Sequence, residues 1–519
     1  MSLTRDVTTV GSATLLSRLL GFFRDVGIAA ILGAGPLSDA YFAALQIPNL
    51  FRRLLAEGAL NAAFVPMWLR LREEQGEDAA RRFGERIFGT MFLSLGAVAL
   101  LCMMFAPVTI HLVAPGFRID GERYQYAVEF IRLSSPYVAV AGIVAVAASI
   151  LNAEGRVGAV AAGLVIFNAV LVSAVVAVVV MGSNSGLAGD ILSLAIVLAG
   201  IGQLLIIGGA LLRSPQRPRR ISFRLSAEAR RFYARAIPGV IAGGIPQLKL
   251  MAGAMVASAS PAAVSWLYYA NRLYELPLGV VSIAIASVLA PRIASSVLAG
   301  DRAAIASAQS RAFEIALGLA LPSAIAFATL AMPIAGGLFE RGAFGPQDTI
   351  AVAGALAAIS AGLPGHILEK VLAGISFAHE DTRTPMFAAL AGLAVATTMA
   401  ILLFPHYGHV GIAAAIAISG WVGATLLSII LWRRGWLVIS RGTWRRIAII
   451  VTASAIMGVV ILAGYLLIDR NFAVSDTALG RVVTLATMVT AGLATYLASL
   501  QLLGIARMKD LIAAVNDRF

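Results

Sequence analysis

Apolar residues fall in runs of roughly twenty to thirty along this chain, divided by short segments rich in Gly, Pro, Ser and charge. About twenty apolar residues cross a bilayer as a helix. On that length the pattern predicts an all-α polytopic membrane protein with fourteen spans. They fall at 8–33, 38–67, 84–113, 127–152, 157–181, 187–212, 233–258, 263–290, 311–338, 349–378, 384–404, 410–432, 447–468 and 480–504. The connecting segments alternate in charge. One set carries Arg70, Arg72, Arg81 and Arg82, then Arg156, then five arginines from Arg213 to Arg224, and later Arg292, Arg302, Arg383, a cluster from Arg433 to Arg446, and Arg507 with Lys509. The other set, including GAGPLSD, GSNSGLAGD and PHYGH, is poor in basic residues or balances them with acids. The positive-inside rule then places both termini in the cytoplasm, which an odd number of spans would forbid.

The pattern repeats at an offset of about 225 residues. RIFGTMFLSLGAVALLCMMFAPVTIHLVAPGF from Arg86 resembles RAFEIALGLALPSAIAFATLAMPIAGGLFERGAF from Arg311. Pro66 corresponds to Pro291, and ILNAEGR (150–156) to SFAHEDTR (376–383). Repeats of equal topology predict two pseudo-symmetric six-helix lobes around a central cavity, related by an axis along the membrane normal. The predicted division is a lobe at 1–213, a linker at 214–231, a lobe at 232–435, and two extra helices with a tail at 436–519. The linker, SPQRPRRISFRLSAEARR, is basic and Pro-interrupted. Its later part is expected to form an amphipathic helix on the anionic inner leaflet.

Composition agrees with a membrane protein: 59% hydrophobic and 13% charged residues, against about 25% charged in soluble domains. A net charge of +13 would suit nucleic acid in a soluble protein, but these arginines sit in short loops, so no nucleic-acid partner is expected. Cys102 is the only cysteine, which excludes an internal disulfide or a thiolate metal site. The first span lacks a signal-peptide pattern and is expected to stay in the mature chain. Metal-type spacing, a phosphate loop and a nucleophile elbow are all missing. The loops are too short for a catalytic domain, so neither an enzyme nor a cofactor is expected.

Charge inside the spans changes the picture most. Residues 17–66 hold Arg18, Arg24, Asp25, Asp39, Arg52, Arg53 and Glu57. A charge at the centre of a membrane helix costs about 2.5–3.5 kcal/mol by insertion scales, so these groups are expected to face a watery cavity. Arg18 and Asp25 lie about 20° apart on an ideal helix and Arg24 some 120° from either; a kink near Gly21 would gather them, whereas Arg24 and Asp25 at an interface would simply snorkel. Arg53 and Glu57 pair at i, i+4, as a structural ion pair or as ligands, and this leaves Arg52 as the ligand-facing group. Pro48 and Gly58 interrupt the second span as in transporter sites. Asp39 fits the first turn of that span, where the dipole favours an anion, with plain capping as the alternative. In the eighth span, SWLYYANRLYELPLG, Arg272 and Glu275 share a face, beside tyrosines that also fit an interfacial belt. Lys249 is a lone lysine deep in the seventh span. His366, Glu369 and Lys370 share a face of the tenth.

Guanidinium forks bind phosphate oxygens in pairs. Arg18, Arg24, Arg52 and Arg272 together suit a ligand with two or more phosphate charges, and a site within the membrane suits an amphiphile; a lipid-linked pyrophosphate meets both conditions. SRLLGFFRD, GAGPLSDAYFAALQIPNLFRRLLAEGALNAAFVP, APGF, SWLYYANRLYELPLG and DTRTP resemble the MurJ/MviN family of lipid II flippases, within the multidrug/oligosaccharidyl-lipid/polysaccharide exporter superfamily. The resemblance covers essentially the whole chain. It implies a flippase of the bacterial inner membrane that moves the undecaprenyl-pyrophosphate-linked peptidoglycan precursor to the periplasmic leaflet by alternating access. It implies substrate-binding roles for Arg18, Arg24, Arg52 and Arg272. It implies gating or functional roles for Asp39 and Glu57; the reading of the charged positions adds Ser17, Asp25, Asn49, Arg53 and Glu275 as supporting residues, and Lys249, Glu369 and Lys370 as candidates for coupling. It further implies a lipid-tail groove at spans 13 and 14, and contact with the cell-wall synthesis machinery. Some members carry a sodium site with acidic or Asn ligands on spans 7 and 11. Here those stretches read QLKLMAGAMVAS and AALAGLAVATTMAILL, without either, so membrane potential or protons are the expected drive. An exporter of another polyprenyl-linked oligosaccharide is the alternative; an exporter of cationic drugs would want carboxylates in its cavity.

Overall fold

The computed structural model describes residues 3–56, 59–182, 185–285, 290–471 and 478–505, and among them all regular structure is helical. By its internal contacts the chain forms two compact units, Met1–Ser265 with Gly342–Phe344, and Trp266–Arg341 with Gly345–Phe519.

The first unit contains α1 (Leu3–Leu32), α2 (Pro36–Ala56), α3 (Ala59–Gln75), α4 (Glu77–Met104), α5 (Ala106–Val113), α6 (Glu122–Ser134), α7 (Pro136–Ala153), α8 (Val157–Met181), α9 (Ser185–Leu212) and α10 (Ala227–Ala257). Several expected spans are broken rather than continuous. The third divides at Phe105 and the fourth at Ser135, each followed by a proline in the first turn of the next helix. Proline fits there because its missing N–H has no intrahelical partner to lose. Pro48, by contrast, lies inside α2, which runs on to Ala56. At one end of the unit Phe64 stacks on Trp68 and Phe83 and meets Phe232 edge-on, tying α3, α4 and α10 into one aromatic core. Gly33 ends α1 at φ 60, where a Cβ would lie 2.4 Å from the Ala343 carbonyl oxygen. This close approach lets Ala343 N–H donate to the Ala30 carbonyl at 2.8 Å.

The second unit contains α11 (Ala263–Ala284, whose first turn belongs to the first unit), α12 (Ala290–Leu298), α13 (Arg302–Thr329), α14 (Ala331–Phe339), α15 (Pro346–Ser360), α16 (Leu363–Ala378), α17 (Arg383–Arg433), α18 (Arg441–Asn471) and α19 (Ala478–Leu502). A straight helix of α17's length would be about 75 Å long, but it is two helices meeting at Gly408, at φ 55 and ψ −140. Gly362, just before α16, and Gly365 within it lie against the backbone of α17, where a Cβ would come within 2.4 Å of Ala417 Cα and 2.8 Å of Trp421 N. Small residues at such crossings are the ordinary device for packing helices in lipid. The last two helices are fastened at several points: Tyr496 donates to the Gly318 carbonyl at 2.7 Å, and Glu314 accepts from Thr443 and Arg446, both at 3.0 Å.

The helix ends carry the repeat. α4 and α13 begin at Glu77 and Arg302 and end at Met104 and Thr329; α1 and α10 end at Leu32 and Ala257; α7 and α16 end at Ala153 and Ala378. Every one of these pairs is 225 residues apart.

Among the described residues nine stretches are long and apolar enough to cross a membrane, and the molecule is a multi-pass membrane protein. The expected first, second, seventh and eighth spans, now α1, α2 with α3, α10, and α11, are not among those nine. They are the helices that carry Arg18, Arg24, Asp25, Asp39, Arg52, Arg53, Lys249, Arg272 and Glu275, whereas Glu369 and Lys370 lie on α16, within one of the nine. The linker corrects one expectation: residues 221–226 are non-helical, and the helical turns expected there begin only at Ala227, as the start of α10. Glu85 accounts for this, because its carboxylate accepts the backbone N–H groups of Arg219 and Arg220 at 2.6 and 3.0 Å and holds the chain along α4.

Candidate functional site

In the first unit, α1 and α8 hold a connected polar cluster. Ser17 donates to the Leu164 carbonyl at 3.1 Å and accepts from Asn168 Nδ2 at 3.0 Å. Asn168 Oδ1 in turn accepts from Arg24 Nη1 at 3.3 Å. The Arg24 guanidinium also donates from Nε and Nη2 to Asp25 Oδ1, at 2.9 and 2.7 Å. The kink expected to gather Arg18, Arg24 and Asp25 does not form: α1 is one continuous helix. Asp25 pairs with its sequence neighbour instead, because a long guanidinium side chain can curl back where the short carboxylate cannot. Asp25 is fully buried, Arg24 half-buried and Arg18 exposed.

Asp39, at the first turn of α2, is fully buried. Its own helix is capped otherwise, by Ser38, whose hydroxyl accepts from Gly35 N–H at 2.8 Å. The Asp39 carboxylate caps α11: Oδ2 accepts from Ala262 N–H at 2.7 Å, and Oδ1 from Ser265 N–H and Oγ at 2.9 and 2.7 Å. A carboxylate at that end is favoured by the unpaired N–H groups and by the dipole. Arg123 approaches Asp39 Oδ2 at 3.4 Å and donates to the carbonyls of Ser258 and Ser260 at 3.3 and 3.1 Å, with its guanidinium over the Phe117 ring. Nearby, Gly116 N–H donates to Ser258 Oγ at 2.8 Å. The APGF segment, the start of α6 and the 258–262 turn thus converge on one carboxylate.

Further along α2, Asn49, Arg52 and Arg53 are half-buried. Glu57 lies outside the described residues, so its pairing with Arg53 does too. Lys249 is buried in α10, with 6% of its surface exposed.

In the second unit, α11 presents Arg272 and Glu275 to each other at 3.6 Å, both half-buried. Asn271 donates to the other Glu275 oxygen at 3.2 Å. Beside Glu275 in sequence, Tyr274 OH lies 2.7 Å from His366 Nδ1 on α16, and that nitrogen is also 3.1 Å from the Gly362 carbonyl. His366 and Glu369 sit over two glycines of α17: a Cβ on Gly420 would meet the His366 ring at 2.5 Å, and one on Gly423 the Glu369 carboxyl at 2.8 Å. Lys370 is exposed and donates to Ser282 at 2.8 Å.

Sequence reasoning passed over four of these partners. Asn168 had a signal, as the only amide in an otherwise apolar span. Arg123 had none, since it stands in a loop whose charges balance. Ser265 and Tyr274 lie in a motif read for its charges and for a belt of tyrosines, which gives no sign of either hydrogen bond.

Comparison with known proteins places the chain. A family model described as lipid II flippase MurJ matches residues 28–483. A probable lipid II flippase MurJ of Rhizobium meliloti (strain 1021) is 39% identical over 508 residues, covering 96% of this chain and 93% of that protein. Among solved structures, a lipid II flippase MurJ in an inward closed conformation aligns with TM-score 0.80 at 24% identity, over 97% of this chain and 99% of that one. An inward-facing multidrug resistance MATE family transporter of the MOP superfamily aligns at 0.65 and 14% identity, over 80% and 94%. With a family model spanning most of its length and a relative alike across nearly all of it, this chain belongs to the lipid II flippase MurJ family.

Proposed function

We propose that this protein flips lipid II, the undecaprenyl-pyrophosphate-linked peptidoglycan precursor, from the cytoplasmic to the periplasmic leaflet of the bacterial inner membrane. Flipping of lipid II follows from the family; the family is one of transporters rather than catalysts. The observation that carries the mechanism is the placement of Arg24, Arg52 and Arg272 on the helices too polar to count among the nine apolar stretches. Guanidinium groups there repay their desolvation by holding a pyrophosphate.

The proposal includes fourteen spans in two six-helix lobes around a central cavity, with 214–231 as linker, and both termini in the cytoplasm. Arg18, Arg24, Arg52 and Arg272 bind the pyrophosphate. Ser17 and Asp25 orient Arg24, the first through Asn168. Glu275 orients Arg272, while Asn49, Arg53 and Glu57 support the same stretch. Asp39 acts as a gate, since a cap on α11 is a contact that can be made and released. Lys249, Glu369 and Lys370 are the coupling candidates, and spans 13 and 14 take the lipid tail.

The test is rescue of cells depleted of their own lipid II flippase, comparing the parent with Arg24→Ala, Arg52→Ala and Arg272→Ala at equal membrane expression. Loss of rescue is expected for each. Normal rescue by all three would reject the binding assignment while leaving the family membership intact.

A further inference from the structure

The segment joining α9 to α10 has a pattern that flipping does not use. From Arg213 to Arg231 it holds seven arginines, all exposed, and one acid, Glu228. Glu228 is engaged by Arg86 at 3.1 Å. Within it Ile221, Phe223 and Leu225 are 56%, 54% and 53% exposed. The backbone from 221 to 226 is neither helix nor turn. Three large apolar side chains thus stand exposed at every second position of one non-helical stretch, next in sequence to Arg219, Arg220 and Arg224. The stretch is held against α4. Glu85 fixes the N–H groups of Arg219 and Arg220, Ser222 N–H reaches the Glu85 carbonyl at 3.4 Å, and Gly89 leaves room for the Ser222 carbonyl, which a Cβ would meet at 2.3 Å.

We infer that this segment is a binding surface for anionic phospholipid, with Ile221, Phe223 and Leu225 seated at the headgroup–acyl boundary and the arginines on the lipid phosphates. Apolar side chains interleaved with cations are the composition of interfacial anchors, and the charge of the leaflet that faces the cytoplasm complements them. A soluble acidic partner would not require three bare hydrophobic side chains within five residues. The inference rests on the cytoplasmic placement of the basic loops in the preceding reading.

Cys102 is the sole cysteine, so Cys102→Ala gives a background in which a nitroxide at Phe223→Cys reports its surroundings. The full chain is placed in nanodiscs of phosphatidylcholine, with or without phosphatidylglycerol, and collision with oxygen is compared with collision with a water-soluble nickel chelate. With phosphatidylglycerol present, the chelate is expected to reach position 223 severalfold less than a label at Arg219→Cys. That protection should fall when Arg217, Arg220 and Arg224 are changed to Gln, or when salt screens the unaltered arginines. A label at 223 open to the chelate in anionic discs overturns the inference, as does equal protection in phosphatidylcholine alone. Labelling of Arg219→Cys by an impermeant thiol reagent from outside intact spheroplasts would instead overturn the orientation, leaving the disc result to stand on its own.

Discussion

At the scale of single residues, the structure assigns partners that helical geometry alone could not. Asp39 reads in sequence as the cap of its own helix, because it stands in the first turn of α2 and nothing local points to α11. Its carboxylate instead takes two backbone N–H groups and a hydroxyl from residues 262–265, more than two hundred positions along the chain. Hydrogen bonds to a charged group contribute about 1.5–3 kcal/mol, and removing the acceptor strands buried donors. Asp39→Ala is therefore expected to destabilise the protein by on the order of 3 kcal/mol, and Asp39→Asn by less, since one oxygen remains. Thermal unfolding of the detergent-solubilised protein measures both; midpoints equal to the parent would remove the cap from the account of stability. Arg24 and Asp25 teach the same lesson. The sequence marks both as too costly to face lipid, yet the ideal-helix angle between them misses that a flexible guanidinium closes the gap.

A pH effect belongs to this scale as well. Asp381 stands in the loop between α16 and α17. Partial burial works against its charge, but Thr384 side chain and N–H, the Arg434 guanidinium and Arg383 N–H outweigh it and hold the carboxyl at about 2, below its ordinary 3.8. A carboxylate lowered in the folded state stabilises the fold fully above the unfolded value, and the gain disappears as pH falls through the folded one. The stability advantage of the parent over Asp381→Asn should thus be constant above about pH 4 and shrink between pH 4 and 2. A difference that does not change over that window would show that the loop bonds carry no linkage.

At the scale of elements, apolar run length located most of the long helices, because length is what a bilayer selects, but α12 falls between two expected spans. It did not show where spans break, since a proline in a first turn and one inside a helix look alike in sequence: Pro136 begins a helix and Pro48 does not interrupt one. The repeat was more informative, and helix ends 225 residues apart bear it out. The packing of α16 on α17 was not legible, because glycine in an apolar run carries no sign of its neighbour. It yields a ranked prediction. A Cβ at Gly365 would press on the Trp421 backbone, which cannot yield without moving the helix, whereas one at Gly423 would press on the end of the Glu369 side chain, which can rotate. Gly365→Ala is expected to lower the unfolding midpoint more than Gly423→Ala, with overpacking costing about 1–3 kcal/mol. The reverse order, at equal expression, would mean that Glu369 is held more rigidly than the helix backbone.

At the scale of the whole molecule, the question is what moves an anionic headgroup outward. Each negative charge carried across an inside-negative membrane gains about 2.3 kcal/mol per 100 mV. If the proposed arginines bind the pyrophosphate and stay with the protein, that gain is available without a second ion. Carboxylate and Asn are both absent from 247–258 and 388–403, where a sodium site of the kind implied by the family resemblance would need them, and Lys249 already places a buried amine in the first of these stretches. Flipping in proteoliposomes should therefore rise with an imposed inside-negative potential and be unchanged when sodium is replaced by potassium or choline at fixed potential. If flipping fell on sodium removal alone, a metal cation would have to bind elsewhere in the chain. If it ignored the potential but followed an imposed proton gradient, the charge of the headgroup would not be the driving term, and Glu369 with His366 would be the first groups to substitute.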